Sequence, residues 1–110
     1  MKIRIPVVGI DFWLFSGVKE WDKYIKEAKG LGFDNEDLGE MPEGNCGRCA
    51  LAVVWVYSAK DEGTIYHEMS HLCDNIMAHM EAEKEKEFKA YILSWITKRS
   101  MKYYATVKGE

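Results

Sequence analysis

The residues with the clearest chemical potential are His67, Glu68 and His71, which lie within the sequence HEMSH. In an α-helix, side chains four positions apart lie on one face with Cβ atoms about 5–6 Å apart, so both imidazoles can bind one metal ion. Glu68 is rotated by about 100° from His67, which places its carboxylate beside the open position of that ion. There it can take a proton from a water that zinc has activated. The pattern therefore predicts a zinc site with two histidine ligands and Glu68 as general base.

The surrounding helix is expected to have one solvent-exposed face and one buried face. Its apolar residues fall on the side opposite the histidines, and they are Ile65, Met69, Leu72 and Ile76. Such a stripe is typical of a helix that packs on a core. Asp74 follows the second histidine by three positions and could accept an imidazole N–H. The alternative hypothesis is that the motif residues lie on a solvent-exposed helix face and bind no metal.

A catalytic zinc ion normally has three protein ligands and one open position, so a third ligand must be found. The extended pattern HExxHxxGxxH is excluded, because Asp74 and Met77 stand where Gly and His would be needed. His79 lies about 120° from the first histidine around the helix, and we interpret it as a surface or packing residue. The remaining candidates are four carboxylates downstream, Glu81, Glu83, Glu85 and Glu87.

A family resemblance separates these candidates. The run EFKAYILSWI begins at Glu87, and HExxH followed by such an E-x-x-A-Y helix resembles the gluzincin-type minimal metallopeptidases, in particular small zinc peptidases encoded by bacteriophages and prophages. The resemblance implies Zn²⁺ as the cofactor, with ligands His67, His71 and Glu87 and with Glu68 as general base. It also implies an enzyme that hydrolyses a peptide or protein substrate.

The resemblance covers residues 50–96 and sets a condition on the fold. Glu87 lies sixteen positions after the second histidine, which is about 24 Å along an unbroken helix, so the chain must turn between the two. Residues 79–86 contain no Gly or Pro, and the turn is expected from the resemblance and from the need to bury the apolar side chains that follow. If the break falls elsewhere, Glu83 or Glu85 takes the ligand position. Tyr91 is placed near the site by the resemblance, although core packing also explains it.

The elements that must position this site follow from periodicity and turn residues. We expect strands at residues 2–8 and 50–57, a surface loop at 33–47, and helices at 18–28, 64–80 (capped by Thr64) and 85–104. The order predicts an α+β fold, a minimal zincin-like domain in which a small β-sheet packs against the HExxH helix and the C-terminal helix. At 110 residues, one domain over 1–110 is expected.

Composition restricts the possible partners. The formal net charge is −3 and the basic residues form no long block, so nucleic acid is not expected as a partner. No apolar run approaches the roughly 20 residues that span a bilayer, and no export signal is evident, so we expect a cytoplasmic protein without a membrane partner.

Two other functions fit parts of the sequence. Cys46 and Cys49 form a C-x-x-C motif, which can bind metal or cycle between thiol and disulfide, although it leads into a strand rather than opening a helix. The other alternative is a non-catalytic binding module that keeps the zincin fold and binds a phage or host protein, because a fold does not determine an activity.

Overall fold

The computed structural model describes residues 1–6, 8–32 and 47–107. Within these ranges the strands are β1 (Lys2–Arg4), β2 (Asp11–Ser16), β3 (Gly47–Ala50) and β4 (Val53–Val56). The helices are α1 (Trp21–Gly30), α2 (Glu62–His79) and α3 (Lys86–Val107), and a short 3-10 turn (Val18–Glu20) precedes α1. No helix of these ranges is long and apolar enough to cross a membrane.

The four strands form one mixed sheet in the order β1-β2-β4-β3. Strands β2 and β4 are parallel, with Ser16 opposite Val56, whereas β1 and β3 pair antiparallel at the two edges. The predicted α+β class is confirmed. The pairing of β2 with β4 joins segments that are about 40 positions apart in sequence, so it fixes the N-terminal part of the chain beside the HExxH helix.

The sheet has a helical layer on each face. Alternate residues of β4 point to opposite sides, so Val53 and Trp55 pack towards α1 whereas Val54 and Val56 pack towards α2 and α3. The indole of Trp55 also donates a hydrogen bond of 2.8 Å to the carbonyl of Gly17. Since both faces of β4 are covered, its side chains are all buried, as the apolar sequence predicted.

Two strand predictions were incomplete. The segment predicted as one strand at 2–8 ends at Arg4, reverses, and continues as β2, which sequence reasoning missed. The segment predicted at 50–57 holds only the end of β3 and all of β4, because Leu51 adopts a left-handed φ of 51° and turns the chain into a hairpin. A non-glycine residue in this conformation is uncommon, so periodicity alone could not reveal the turn.

Helix α2 begins two residues before the predicted start. Asp61 is the N-cap, and its carboxylate accepts bonds from the backbone N–H of Thr64 at 3.1 Å and from its hydroxyl at 2.6 Å. Thr64 is therefore bound by the cap and is not the cap itself. A side-chain acceptor at this position satisfies N–H groups that have no partner within the helix.

The predicted break between the last two helices occurs without Gly or Pro. Glu81 adopts a φ of 54°, and the N–H groups of Glu81 and Ala82 donate to the carbonyls of Ala78 and Met77. This is a Schellman termination in which a glutamate takes the left-handed position that Gly usually holds. It lets α3 fold back along α2.

We expect Tyr104→Phe to lower the free energy of unfolding by about 1–3 kcal/mol. The buried Tyr104 hydroxyl donates a bond of 3.1 Å to the carbonyl of Phe15, which ties α3 to β2. Removing the hydroxyl breaks this bond between two buried groups. Urea unfolding measures the change, with Tyr66→Phe as control because Tyr66 is exposed. Equal effects of the two variants would contradict the assignment.

Candidate metal centre

The exposed face of α2 carries the two motif histidines close together. The Nε2 atoms of His67 and His71 are 3.1 Å apart, and the two rings meet edge to face. Two nitrogen ligands of a tetrahedral zinc ion, each about 2.0–2.1 Å from the metal, lie about 3.3 Å apart. The pair is thus spaced for one ion without rearrangement of the helix. The same spacing also allows one neutral imidazole to donate a hydrogen bond to the other.

Glu68 lies on the inner side of the motif, under the sheet edge. Its residue exposure is only 4%, and its Oε2 atom is buried with no hydrogen-bond partner among the described residues. Burial raises the pKa of this carboxyl, and the neighbouring imidazoles of His71 and His67 oppose the rise. A buried carboxyl with a raised pKa, and with one oxygen that accepts no hydrogen bond, is suited to proton transfer.

Strand β3 produces this burial through a close approach at Gly47. A Cβ atom at Gly47 would lie 2.8 Å from Cγ2 of Thr64, 3.1 Å from Cγ of Glu68 and 3.2 Å from its Oε1. Only a residue without a side chain lets the strand lie this near to the helix. Sequence reasoning missed Gly47, because it took this glycine as the last residue of the predicted loop 33–47, whereas Gly47 begins β3 and the rest of that loop lies outside the described residues.

Asn75 holds the other end of the same hairpin. Its amide donates a bond of 3.0 Å to the carbonyl of Leu51, the residue with the left-handed turn, and lies 3.7 Å from the sulfur of Cys49. Asn75 is two helical turns after Glu68, so α2 contacts β3 near Gly47 and again near its last residue. Sequence reasoning also missed this contact, because its partner is a backbone atom.

The structure does not bring Glu87 to the histidines. Glu87 is exposed in the first turn of α3, and in the described ranges no three His, Cys, Asp or Glu side chains are grouped so as to hold a metal ion. The alternatives Glu83 and Glu85 are exposed too, as is His79. The identity of the third ligand therefore stays a prediction.

The start of α3 is fixed beside the C-terminal half of α2. Lys89 binds the carboxylate of Asp74 at 2.9 Å, and the thiol of Cys73 lies 3.7 Å from the carbonyl of Lys89. Asp74 was predicted to accept an imidazole N–H, but its partner here is the Lys89 ammonium. These contacts bring the beginning of α3 within two turns of the histidine pair.

The cysteines give little support to a redox function. Cys46 lies outside the described residues. Burial, with the charge of Glu68 adding to it, raises the pKa of Cys49 to about 12, although the Asn75 amide opposes the rise. Cys73 is buried, and burial raises the pKa of its thiol also. Thiols that stay protonated at neutral pH are poor nucleophiles for disulfide exchange.

Comparisons of the chain with family models, with curated proteins and with solved structures return no match. The resemblance to gluzincin-type peptidases therefore rests on the sequence of residues 50–96. The helix that carries HExxH does follow a buried strand and a polar turn, which is the context that the motif requires.

We expect Gly47→Ala to destabilise the protein by about 1–3 kcal/mol, because the new methyl group overlaps α2. Adding Thr64→Ser removes the shortest contact and keeps the hydroxyl for Asp61, so the double variant should recover only part of the loss. Gly30→Ala is the control, since nothing lies within 4 Å of a Cβ there and it should be neutral or slightly stabilising. Thermal and urea unfolding measure all three, and a neutral Gly47→Ala would contradict the close approach.

We expect the Cys49 thiol to react slowly with iodoacetamide at pH 8. A pKa of about 12 instead of 9 leaves roughly 1000-fold less thiolate. In a Cys46→Ser, Cys73→Ala variant the native rate should still rise steeply above pH 9, whereas the urea-unfolded chain should level off. Mass spectrometry follows the alkylation. A native rate that also levels off near pH 9 would show an unperturbed thiol.

Proposed function

We propose that the chain is a zinc-dependent metallopeptidase of minimal zincin type that acts in the cytoplasm on peptide or protein substrates. The observation that carries the proposal is the 3.1 Å separation of the His67 and His71 Nε2 atoms, with the buried carboxylate of Glu68 on the adjacent position of the helix. Two nitrogen ligands at zinc spacing and a carboxylate next to them are two of the features that zinc-assisted hydrolysis uses, and a third ligand would complete the site.

Zinc, when bound, would polarise the scissile carbonyl and acidify the attacking water. His67 and His71 would hold the ion by their Nε2 atoms. Glu68 would take the proton of the water and pass it to the leaving amine. Its burial serves this role, because a raised pKa lets a carboxyl both accept and release a proton nearer to neutral pH.

Strand β3 supports a peptide as the substrate. It is the last strand of the sheet order and passes directly beside Glu68 through Gly47. An extended peptide can add to an edge strand through main-chain hydrogen bonds, and at β3 this would set its carbonyls near Glu68.

We propose Glu87 as the third ligand, reached by a movement of the beginning of α3 when the metal binds. Glu87 is exposed, so its side chain is free to change rotamer. Tyr91 lies one turn further on α3 and is 45% exposed, which makes its hydroxyl available to a substrate at the same face. Metal binding and local folding are commonly coupled in this way.

A non-catalytic binding module is the second candidate. It is favoured by one observation, namely that no third metal ligand accompanies the histidine pair in the described part of the chain. Such a module would keep the fold and bind a phage or host protein without hydrolysing it.

We expect tag-free protein to bind about one zinc per chain, measured by elemental mass spectrometry and by competition with a chromophoric chelator. His71→Ala should lose the metal. Loss of a residue that only supports a metal ligand lowers metal affinity by roughly 10–100-fold, so removal of a direct ligand in Glu87→Ala should weaken zinc binding by at least that factor. The matched control Glu83→Ala should not weaken it. No zinc in the parent after zinc is offered would rule out the peptidase and favour the binding module. Weakening by Glu83→Ala instead would reassign the third ligand.

Hydrolysis is tested separately from metal binding, in the same preparations. With fluorescein-labelled casein and a quenched peptide library, Glu68→Gln should lower the rate by about 10²–10⁴-fold and keep its zinc. A zinc-loaded parent that cleaves nothing would again favour the binding module.

A further inference from the structure

A crevice of about 830 Å³ opens at the end of the sheet, and none of its lining residues belongs to α2. Its walls come from three segments: the end of β2 with the 3-10 turn that follows, residues 57–60 after β4, and the last turns of α3. Its size lies within the range of small-molecule sites in proteins. The Tyr104 hydroxyl bond to Phe15 fixes the α3 wall against β2.

The topology explains why a crevice lies here. Strands β2 and β4 are parallel neighbours, and both end at this edge, at Ser16 and Val56. After β2 the chain turns to α1 on one face of the sheet, and after β4 it turns to α2 on the other. A gap is left where two parallel strands send their connections to opposite faces, and this is the place where open α/β sheets bind ligands.

The charge of the crevice is opposite to that of the whole chain. Three of its lining side chains are Lys19, Lys23 and Lys60, although the chain has a net charge of −3. Glu20 is the one carboxylate among the lining residues, and its Oε1 accepts a bond of 2.9 Å from the backbone N–H of Ser16. Lys23 lies 3.9 Å from the other oxygen of Glu20, whereas Lys19 and Lys60 have no ion-pair partner among the described residues.

The crevice also carries exposed apolar surface. Tyr57 and Val18 are each 55% exposed, and both line it. Ammonium groups attract an oxyanion, and a tyrosine ring beside them offers a surface on which a planar or apolar group can pack. The Tyr57 ring meets the ring of Trp55 edge to face at 6.3 Å between centroids, and the residue still keeps 55% of its surface exposed.

We propose that this crevice is a binding site for a small organic anion, a molecule with one phosphate or carboxylate group attached to an apolar or ring body. Lys19 and Lys60 bind the oxyanion, and Tyr57 with Val18 contact the body. The crevice shares no lining residue with the candidate metal centre, whose side chains belong to α2 and β3. The proposal therefore does not depend on zinc or on peptide hydrolysis.

The test is a titration of the full chain with phenyl phosphate in EDTA, followed by amide NMR. We expect saturable shifts at Gly17, Lys19 and residues 58–60, with a dissociation constant on the order of 1 mM for so small a probe. Inorganic phosphate, which lacks the ring, and phenol, which lacks the charge, should each bind more weakly. The Lys19→Ala, Lys60→Ala variant should bind at least about tenfold more weakly.

Lys29→Ala, Lys98→Ala is the matched control, because it removes two exposed lysines elsewhere and changes the net charge equally. It should stay within about twofold of the parent. His67→Ala, His71→Ala should also bind as the parent does, which separates this site from the metal centre. Shifts that do not saturate, equal weakening by both lysine pairs, or loss of binding in the histidine variant would each overturn the proposal. The NMR spectrum of each free variant checks that it is folded.

Discussion

The approach of Gly47 to the second turn of α2 is the constraint on which the candidate site depends. It sets the edge strand against the helix closely enough to remove Glu68 from water, while the histidines on the next face remain exposed. The amide of Asn75 holds the far end of the same hairpin at Leu51. With contacts at both ends, β3 cannot tilt away from the helix without breaking one of them.

The rest of the core keeps this arrangement rigid. Because β4 is covered on both faces, its position is determined by α1 through Trp55 and by α2 and α3 through Val54 and Val56. The position of β3 is in turn fixed by its antiparallel pairing with β4. Helix α1 thus contributes to the placement of the candidate site through β4. The crevice arises because the connections after β2 and β4 run to opposite faces of the sheet.

The sequence predicted the parts of this structure that depend on local pattern. The apolar stripe of α2, the exposure of His67 and His71 and the α+β class follow from periodicity, and the structure confirms them. The hairpin at Leu51 could not be predicted, because Leu51 adopts a left-handed conformation that its type disfavours. The break between α2 and α3 was expected, but its left-handed residue Glu81 carries no Gly or Pro signal in the sequence. The contacts of Gly47 and Asn75 are between segments distant in sequence, and a single sequence carries no signal for them. For the same reason the position of Glu87 relative to the histidines was beyond prediction.

The histidine pair and the Glu68 carboxylate depend on the fold in different ways. The histidine spacing is a property of one helical turn, so it persists wherever this segment is helical. The environment of Glu68 exists only when a segment 21 positions earlier lies against it. Substitutions therefore affect the histidine pair and Glu68 unequally. Many changes in the β3–β4 hairpin would expose the Glu68 carboxylate to water and leave the spacing of the two imidazoles unchanged. Under the proposed function, a lineage with this scaffold can lose catalysis before it loses affinity for a metal ion, and few substitutions would then separate catalysts from proteins that only bind.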